Sequence, residues 1–246
     1  IELIVLCFGA QIGKTEAELN MIGFALHQSK APVMMVYPTD MLAKFNSEKR
    51  VQPMITNTEP LANMYNENAS SKLELNFSTG NYMVLSGANS PSSLASRAIK
   101  YVFFDEVDKY PVFSGKEANP IKLATERTKT FVDAKHVMVS TPTVENGNIW
   151  TAFKQAHAQK EYYVPCPHCG EYQKLVFKQI KWPDEAKGNK DRIRDTAYYE
   201  CVHCKKAIHD KHKMDMLRKG EWRTENEPDC RVRSVGYHLS SLYSPW

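Results

Sequence analysis

The sequence has no apolar run approaching the roughly 20 residues that a membrane-crossing helix needs. Its six cysteines in 246 residues are too few for a small disulfide scaffold. Neither sign of charge dominates: 32 Lys and Arg face 28 Asp and Glu, a net of +4, so an obligate polyanion binder does not follow from the total. Repeats and low-complexity tracts are missing too. With 42% hydrophobic and 24% charged residues, these absences exclude membrane-spanning, collagenous and disordered chains. What remains is a globular chain with length for one large domain or two modest ones. Its charge is unevenly spread. Residues 1–150 carry 14 Lys and Arg against 15 Asp and Glu, whereas 151–246 carry 18 against 13, which points to a polyanion near the second part. The chain opens on IELIVLCFGA with no Met and no basic region before it, which reads as a fragment rather than as a secretory leader.

Apolar runs of strand length occur at Ile1–Phe8, Pro32–Tyr37, Ile99–Phe104 and His136–Val139, with a hairpin expected where Leu73–Ser78 and Tyr82–Leu85 flank Thr79-Gly80-Asn81. Between them, helical texture is expected over Thr15–His27, from the Pro38-Thr39-Asp40 cap toward Met54, and over Pro120–Phe131. Strands alternating with helices predict an α/β fold with a largely parallel sheet flanked by helices. From about residue 160 the texture changes to short strands, paired cysteines and a charged loop over Asp184–Asp195, followed by a helix over His209–Lys219.

The first chemical motif is Phe8-Gly9-Ala10-Gln11-Ile12-Gly13-Lys14-Thr15, set between a buried strand and a helix. In that context Gly9 to Thr15 form a phosphate-binding loop. Backbone N–H groups surround a β-phosphate, Lys14 neutralises the β and γ oxygens, and the Thr15 hydroxyl ligates Mg²⁺. Phe8 stands where the motif has its first glycine, so a chance Gly-Lys-Thr at a strand–helix turn is the competing explanation. The second motif is an apolar strand ending in Asp105-Glu106. Beside ATP, Asp105 would hold Mg²⁺ and Glu106 would orient and deprotonate the attacking water. Asp108 reads as an exposed helix or loop acid. Ser140-Thr141-Pro142 closes the next strand at the same sheet edge, where ligands of open α/β sheets bind, and its hydroxyls are candidates to sense the γ-phosphate and couple its loss to motion. Phosphoryl transfer also calls for an arginine. Arg97 and Arg127 are the candidates, each equally readable as a DNA contact or a surface ion pair.

Cys166-Pro-His-Cys169 and Cys201-Val-His-Cys204 offer four thiolates in two knuckles, the donor set of a closed structural Zn²⁺ site, with two disulfides as the alternative. His168 and His203 are expected to face solvent or a phosphate rather than the metal. Cys7 reads as core. Tyr162, Tyr163, Tyr172, Tyr198 and Tyr199 interleave with basic residues, as the ribbon's own small core or as a nucleic-acid surface.

Together the segments GAQIGKTE (9–16), VYPTDMLAKF (36–45), SGANSPSSLASRAIKYVFFDEVDKY (86–110), NPIKLATERT (119–128), STPT (140–143), YYVPCPHCGEYQKL (162–175) and YHLSSLYSPW (237–246) resemble the ATPase part of tailed-phage terminase large subunits of the GpA family. The resemblance runs over nearly the whole chain in the family's order. It implies a RecA-like P-loop ATPase core over 1–155, a small β-rich zinc-ribbon insertion over 160–212, and a return segment to the core over 213–246, ending before a nuclease domain. Nuclease activity is therefore not expected here. The implied role is an ATP- and Mg²⁺-dependent motor that drives double-stranded DNA into a procapsid in the host cytoplasm. Its implied partners are the portal protein, the terminase small subunit and further copies of itself in a ring, with no membrane. The resemblance matches Lys14 and Thr15 to the family's phosphate loop, Asp105 and Glu106 to its acidic pair, and Ser140 to Pro142 to its coupling segment. Many terminases carry an arginine inside the phosphate loop, whereas Ala10 and Gln11 stand here, so the arginine must come from Arg97, Arg127, another subunit or further sequence. A helicase-like translocase and a non-hydrolysing zinc-ribbon DNA-binding module are the alternatives.

Overall fold

The computed structural model describes residues 1–94, 97–111 and 119–245. Its strands are β1 (Leu3–Phe8), β2 (Val33–Tyr37), β3 (Tyr65–Asn66), β4 (Glu74–Phe77), β5 (Tyr82–Gly87), β6 (Tyr101–Asp105), β7 (Lys135–Ser140), β8 (Ala158–Pro165), β9 (Tyr172–Lys174), β10 (Ile180–Lys181), β11 (Tyr198–Glu200), β12 (Ala207–Ile208), β13 (Glu221–Thr224) and β14 (Ser234–Leu239). The helices are α1 (Lys14–His27), α2 (Asp40–Asn46), α3 (Gln52–Asn57), α4 (Glu59–Ala62), α5 (Pro91–Leu94), α6 (Pro120–Glu126), α7 (Asn148–Gln155), α8 (Lys190–Thr196) and α9 (Lys213–Arg218). No helix of the described residues is long and apolar enough to cross a membrane.

Strands β8, β14, β1, β7, β6, β2 and β5 lie side by side and parallel, in that order. Antiparallel strands finish both sides, β13 and β9 on β8 and the β4–β3 meander on β5. The result is a mixed α/β sheet with helices on both faces. Alternation along each strand sends successive residues to opposite faces. Leu6, Phe8, Met35, Tyr37, Phe103, Val137 and Val139 pack toward α1, α3 and α4 through Leu19, Ile22, Ile55 and Leu61. Their neighbours Val5, Cys7, Met34, Val36, Val102, Phe104 and Met138 pack toward α6 and α7 through Ala124, Ile149 and Phe153. Continuing that alternation puts Asp105 on the α1 face. Cys7 is core, as expected.

Several boundaries differ from the sequence reading for local reasons. Thr39 does cap α2, accepting from Leu42 N at 3.3 Å, but the helix passes through a π-helical turn at Ser47–Val51 before α3. Pro53 lies in the first turn of α3 and has no N–H to give, so the ladder shifts there. Helix α6 stops at Glu126 rather than Phe131, where the Thr125 and Thr128 hydroxyls donate to the Ile121 and Thr125 carbonyls. The charged segment Asp184–Asp195 is not all loop: it leads into α8, capped by Asn189, whose Oδ1 accepts from Asp191 N and Arg192 N, both at 3.1 Å. Helix α9 begins only at Lys213, after a 3₁₀ turn at Asp210–His212.

The late segment is woven into the main sheet. β8 runs from that sheet straight to Cys166, and β14 returns between β8 and β1. A separate three-stranded sheet, β10–β11–β12, sits beyond it, around a small cluster that includes Val164, Cys166, Cys201, Ile208, Met216 and Tyr243. Trp246 lies outside the described residues.

Strand β14 is seated against α7 at Gly236. A Cβ there would lie 2.7 Å from the Phe153 ring, which is 2% exposed and held between Trp150 and His238. Gly236→Val should therefore destabilise by about 1–3 kcal/mol, lowering the midpoint of a thermal melt by roughly 2–4 °C per kcal/mol; an unchanged melt would contradict this seating.

Candidate active site

The end of β1 and the start of α1 are joined by residues 9–13, a turn that takes two left-handed residues, Gln11 (φ 57°) and Gly13 (φ 82°). Gly13 is the N-terminal cap residue of α1, and no side chain bonds the helix's first N–H groups. An open N-terminus of a 14-residue helix carries unpaired donors and the positive end of the helix dipole. Phe8 is the last residue of β1, 8% exposed and stacked on Trp222 at 6.3 Å. It belongs to the strand core, which explains why the position needs no glycine.

Lys14 projects from this turn to the ends of β6 and β7. Its Nζ lies 2.6 Å from Glu106 Oε1 and donates to Thr141 Oγ1 at 2.5 Å. Glu106 is held in the left-handed region (φ 54°, ψ 48°), a conformation that is strained for a residue with a Cβ, and also meets Lys109 at 3.2 Å. Burial pushes its carboxyl up, but the hydrogen bonds and charges of Lys14 and Lys109 outweigh that and hold it below the usual range. Asp105 is instead pushed up to about 6, by burial and then by the Glu106 charge. Its buried Oδ1 has no hydrogen-bond partner.

Two acids in this region escaped the sequence reading. Asp108 is half-buried rather than exposed, and it ties the acidic turn to the segment after β7. Its Oδ2 accepts from Thr143 N at 3.0 Å and Thr143 Oγ1 at 3.3 Å, its Oδ1 accepts from Ile149 N at 2.8 Å, and its own N–H donates to Ser140 Oγ at 3.3 Å. Glu18, one turn along α1 from Lys14, is 0% exposed, and neither carboxylate oxygen has a partner. Burial, then the charges of Asp105 and Glu106, drive its carboxyl well above the ordinary range.

The structure brings together Lys14, Glu106 and Thr141, with Asp105 and Ser140 on the adjoining strand ends. Arg97 and Arg127 are not brought there. The Arg97 guanidinium makes a bidentate pair with Glu74 at 2.7 and 2.8 Å and lies 5.4 Å over Tyr82, the first residue of β5. Arg127 accepts through its carbonyl from Ile99 N, two residues before β6 begins. Both sit at the edge where strands start, and Lys14 sits where they end.

The profile of the phage terminase large subunit gpA ATPase domain matches residues 1–222 of this chain. The chain belongs to that family. It is 24% identical to the terminase large subunit of Enterobacteria phage P21 over an alignment of 268 positions, covering 100% of the chain and 41% of the relative. To the terminase large subunit of Escherichia phage lambda it is 24% identical over 200 positions, covering 79% of the chain and 31% of the relative. The chain thus spans well under half the length of either. Among solved structures, the HK97 bacteriophage large terminase shares the fold at a TM-score of 0.51, with 11% identity over 62% of this chain and 32% of that one. The mixed sheet with flanking helices is therefore that of a terminase ATPase domain.

The cysteines converge as well. All four Sγ atoms of Cys166, Cys169, Cys201 and Cys204 lie within 4.8 Å of one another, with Cys166–Cys204 at 3.8 Å and Cys169–Cys201 at 3.9 Å. These are not disulfide distances. They match the edge of about 3.8 Å that four Zn–S bonds of about 2.3 Å impose on a tetrahedron. In each knuckle a backbone N–H, that of His168 or His203, donates to the first sulfur at 3.4 Å. Both histidines are exposed rather than turned to the sulfurs, and each imidazole also bonds backbone of the opposite knuckle, His168 Nε2 with Ala207 O at 2.9 Å and His203 Nε2 with Tyr172 O at 3.3 Å. Of the tyrosines, Tyr162 packs on Trp222 and Tyr243, Tyr199 bonds Lys174 O, and Tyr163 and Tyr172 lie under Arg223.

Glu18 generates a stability prediction. In the unfolded chain it ionises above its ordinary value of 4.5, while the folded chain keeps it protonated to higher pH. The folded state then holds the extra proton, so this group's contribution to stability is full below pH 4.5 and is lost as pH rises. Glu18→Leu should be more stable than the wild type at neutral pH by about 1–3 kcal/mol, with the gap closing in urea titrations toward pH 4. A gap independent of pH would refute this assignment.

Proposed function

We propose that this chain is the ATP-hydrolysing motor domain of a terminase large subunit, with a RecA-like P-loop core over 1–155, a zinc ribbon over 160–212 and a return segment over 213–246. The observation that carries this reading is the single ammonium of Lys14, set at an open helix N-terminus between a carboxylate and a hydroxyl from two neighbouring strand ends. Residues Gly9 to Thr15 cradle the phosphates. When ATP enters, Lys14 exchanges Glu106 and Thr141 for β and γ oxygens, and Glu106 is released to orient a water and take its proton. Thr141, Ser140 and Pro142 register whether Lys14 is on phosphate or back on the protein, and Asp108 carries that difference toward α7.

Thr15 and Asp105 are the residues that would hold Mg²⁺, and the partnerless buried Oδ1 of Asp105 suits a cation. When bound, the ion neutralises charge on the β- and γ-phosphates. The four-sulfur tetrahedron suits Zn²⁺ as a closed structural site. The arginine of phosphoryl transfer comes from a neighbouring copy in a ring, since Arg97 and Arg127 are engaged at the far edge. Double-stranded DNA, the portal protein and the small subunit are the partners in the host cytoplasm, and nuclease activity is not assigned to these residues.

ATP hydrolysis with and without linear duplex DNA, in an assembled oligomer, tests the reading. Glu106→Gln should keep nucleotide binding and lose turnover by about 10²–10⁴-fold, whereas Lys14→Ala should lose binding as well. Wild-type binding with no turnover in the oligomer would leave a non-hydrolysing module instead.

The metal assignment has its own readout. Purified chain should release one Zn²⁺ on thiol modification. Cys201→Ser should release far less and melt earlier, and a metal-free wild type with an unchanged melt would remove the assignment.

A further inference from the structure

The β10–β11–β12 sheet and its two helices carry a set of cations that form no ion pair among the described residues. Residues 190–213 contain seven Lys and Arg against four Asp and Glu, with three histidines besides. Among the described residues none of the seven is ion-paired, in contrast to Arg50, Lys72, Arg97, Lys100, Lys129, Lys174 and Arg223 elsewhere. Unpaired cations in such a density repel one another, and a fold that keeps them together leaves that repulsion for an external anion to relieve.

Part of the set lies together. Arg194 on α8, His209 after β12 and Lys213 at the start of α9 are the basic residues of one cleft of about 200 Å³ that is otherwise mostly apolar, with Tyr198 at its side and Asp210 its one acid. Tyr198 and His209 face each other at 6.5 Å. The His168 ring joins this face to the metal knuckles, bonding Ala207 O beside Lys206 and meeting the His212 ring at 5.8 Å. Lys206, Lys211 and Arg194 are exposed. Lys205 turns back to Val202 O at 2.8 Å and is the least available of the set.

We propose that this face, centred on Arg194, Lys206, Lys211 and Lys213, is a docking surface for the phosphate backbone of duplex DNA. It rests on the motor reading above. It assigns the contact to the ribbon, and to backbone charge rather than to base readout. Exposed Lys and Arg on short turns and helix ends meet phosphates without entering a groove. The sequence-independent grip that results is what a translocating protein needs on a changing sequence.

The test compares the zinc-loaded full chain with an Arg194→Gln/Lys206→Gln/Lys213→Gln variant and with a control, Lys44→Gln/Lys122→Gln. Binding of a short labelled duplex is followed by fluorescence anisotropy across a salt series, and binding of a fluorescent ATP analogue is measured in parallel. Three lost phosphate contacts should flatten the slope of log K against log salt by about 2–3, leaving the control slope and all three nucleotide affinities alike. An unchanged slope with duplex binding retained would overturn the surface while sparing the motor. A wild type that ignores the duplex but binds polyglutamate would overturn it in favour of an acidic protein partner. Loss of nucleotide binding in the wild type would sink the motor reading alone, because the salt slope is scored without ATP.

Discussion

One ammonium group organises the edge of the sheet where β1, β6 and β7 end. Lys14 comes from the turn after β1, Glu106 from the end of β6 and Thr141 from just beyond β7, and the 2.6 and 2.5 Å contacts of a single Nζ hold all three together. The charge is only 11% exposed and its carboxylate 20%, so each would be poorly tolerated without the other. In a site built this way, a ligand that takes the lysine must release two strand ends at once.

Around that contact the structure stores mismatched acids. Glu106 stays ionised because Lys14 and Lys109 face it, while Asp105 and Glu18 are pushed toward neutrality on the α1 side of the sheet. Three carboxyls within one shell thus divide into one charged and two reluctant to charge, a division of the kind that accompanies separate roles in acid–base and cation chemistry. Environment, not residue type, makes the distinction.

Much of this edge was legible in the sequence because it is written in local patterns. The apolar runs before Gly9 and Asp105 are continuous, as parallel strands buried on both faces must be, and Gly-Lys-Thr and the two Cys-x-x-Cys pairs are compact motifs with fixed spacing. Glu18 and Asp108 were not legible, because what distinguishes them is burial for the first and, for the second, partners 32 or more positions away. The helix ends at Glu126 and Asn46 were set by threonine hydroxyls and by Pro53, which compete with the ladder in ways that periodicity does not register. Nor did pattern alone show that Arg97 would be taken by Glu74.

Strand β14 brings a different consequence. It is a neighbour of β1, pairing Leu3–Phe8 with Ser234–Leu239, and its continuation packs on the turn at 9–13. Gly9 N donates to Leu239 O at 2.7 Å, and Ser244 Oγ donates to Gln11 O at 3.3 Å. Strand β1 is therefore completed by a strand that follows it by more than 200 residues. Sheet closure spans more than 200 residues of sequence, the long-range pairing that folds slowly, and the turn at 9–13 is left without its support until the knuckles and helices in between have been made. The shape of the turn that carries Lys14 is thus fixed by residues 239–244 as much as by its own local sequence.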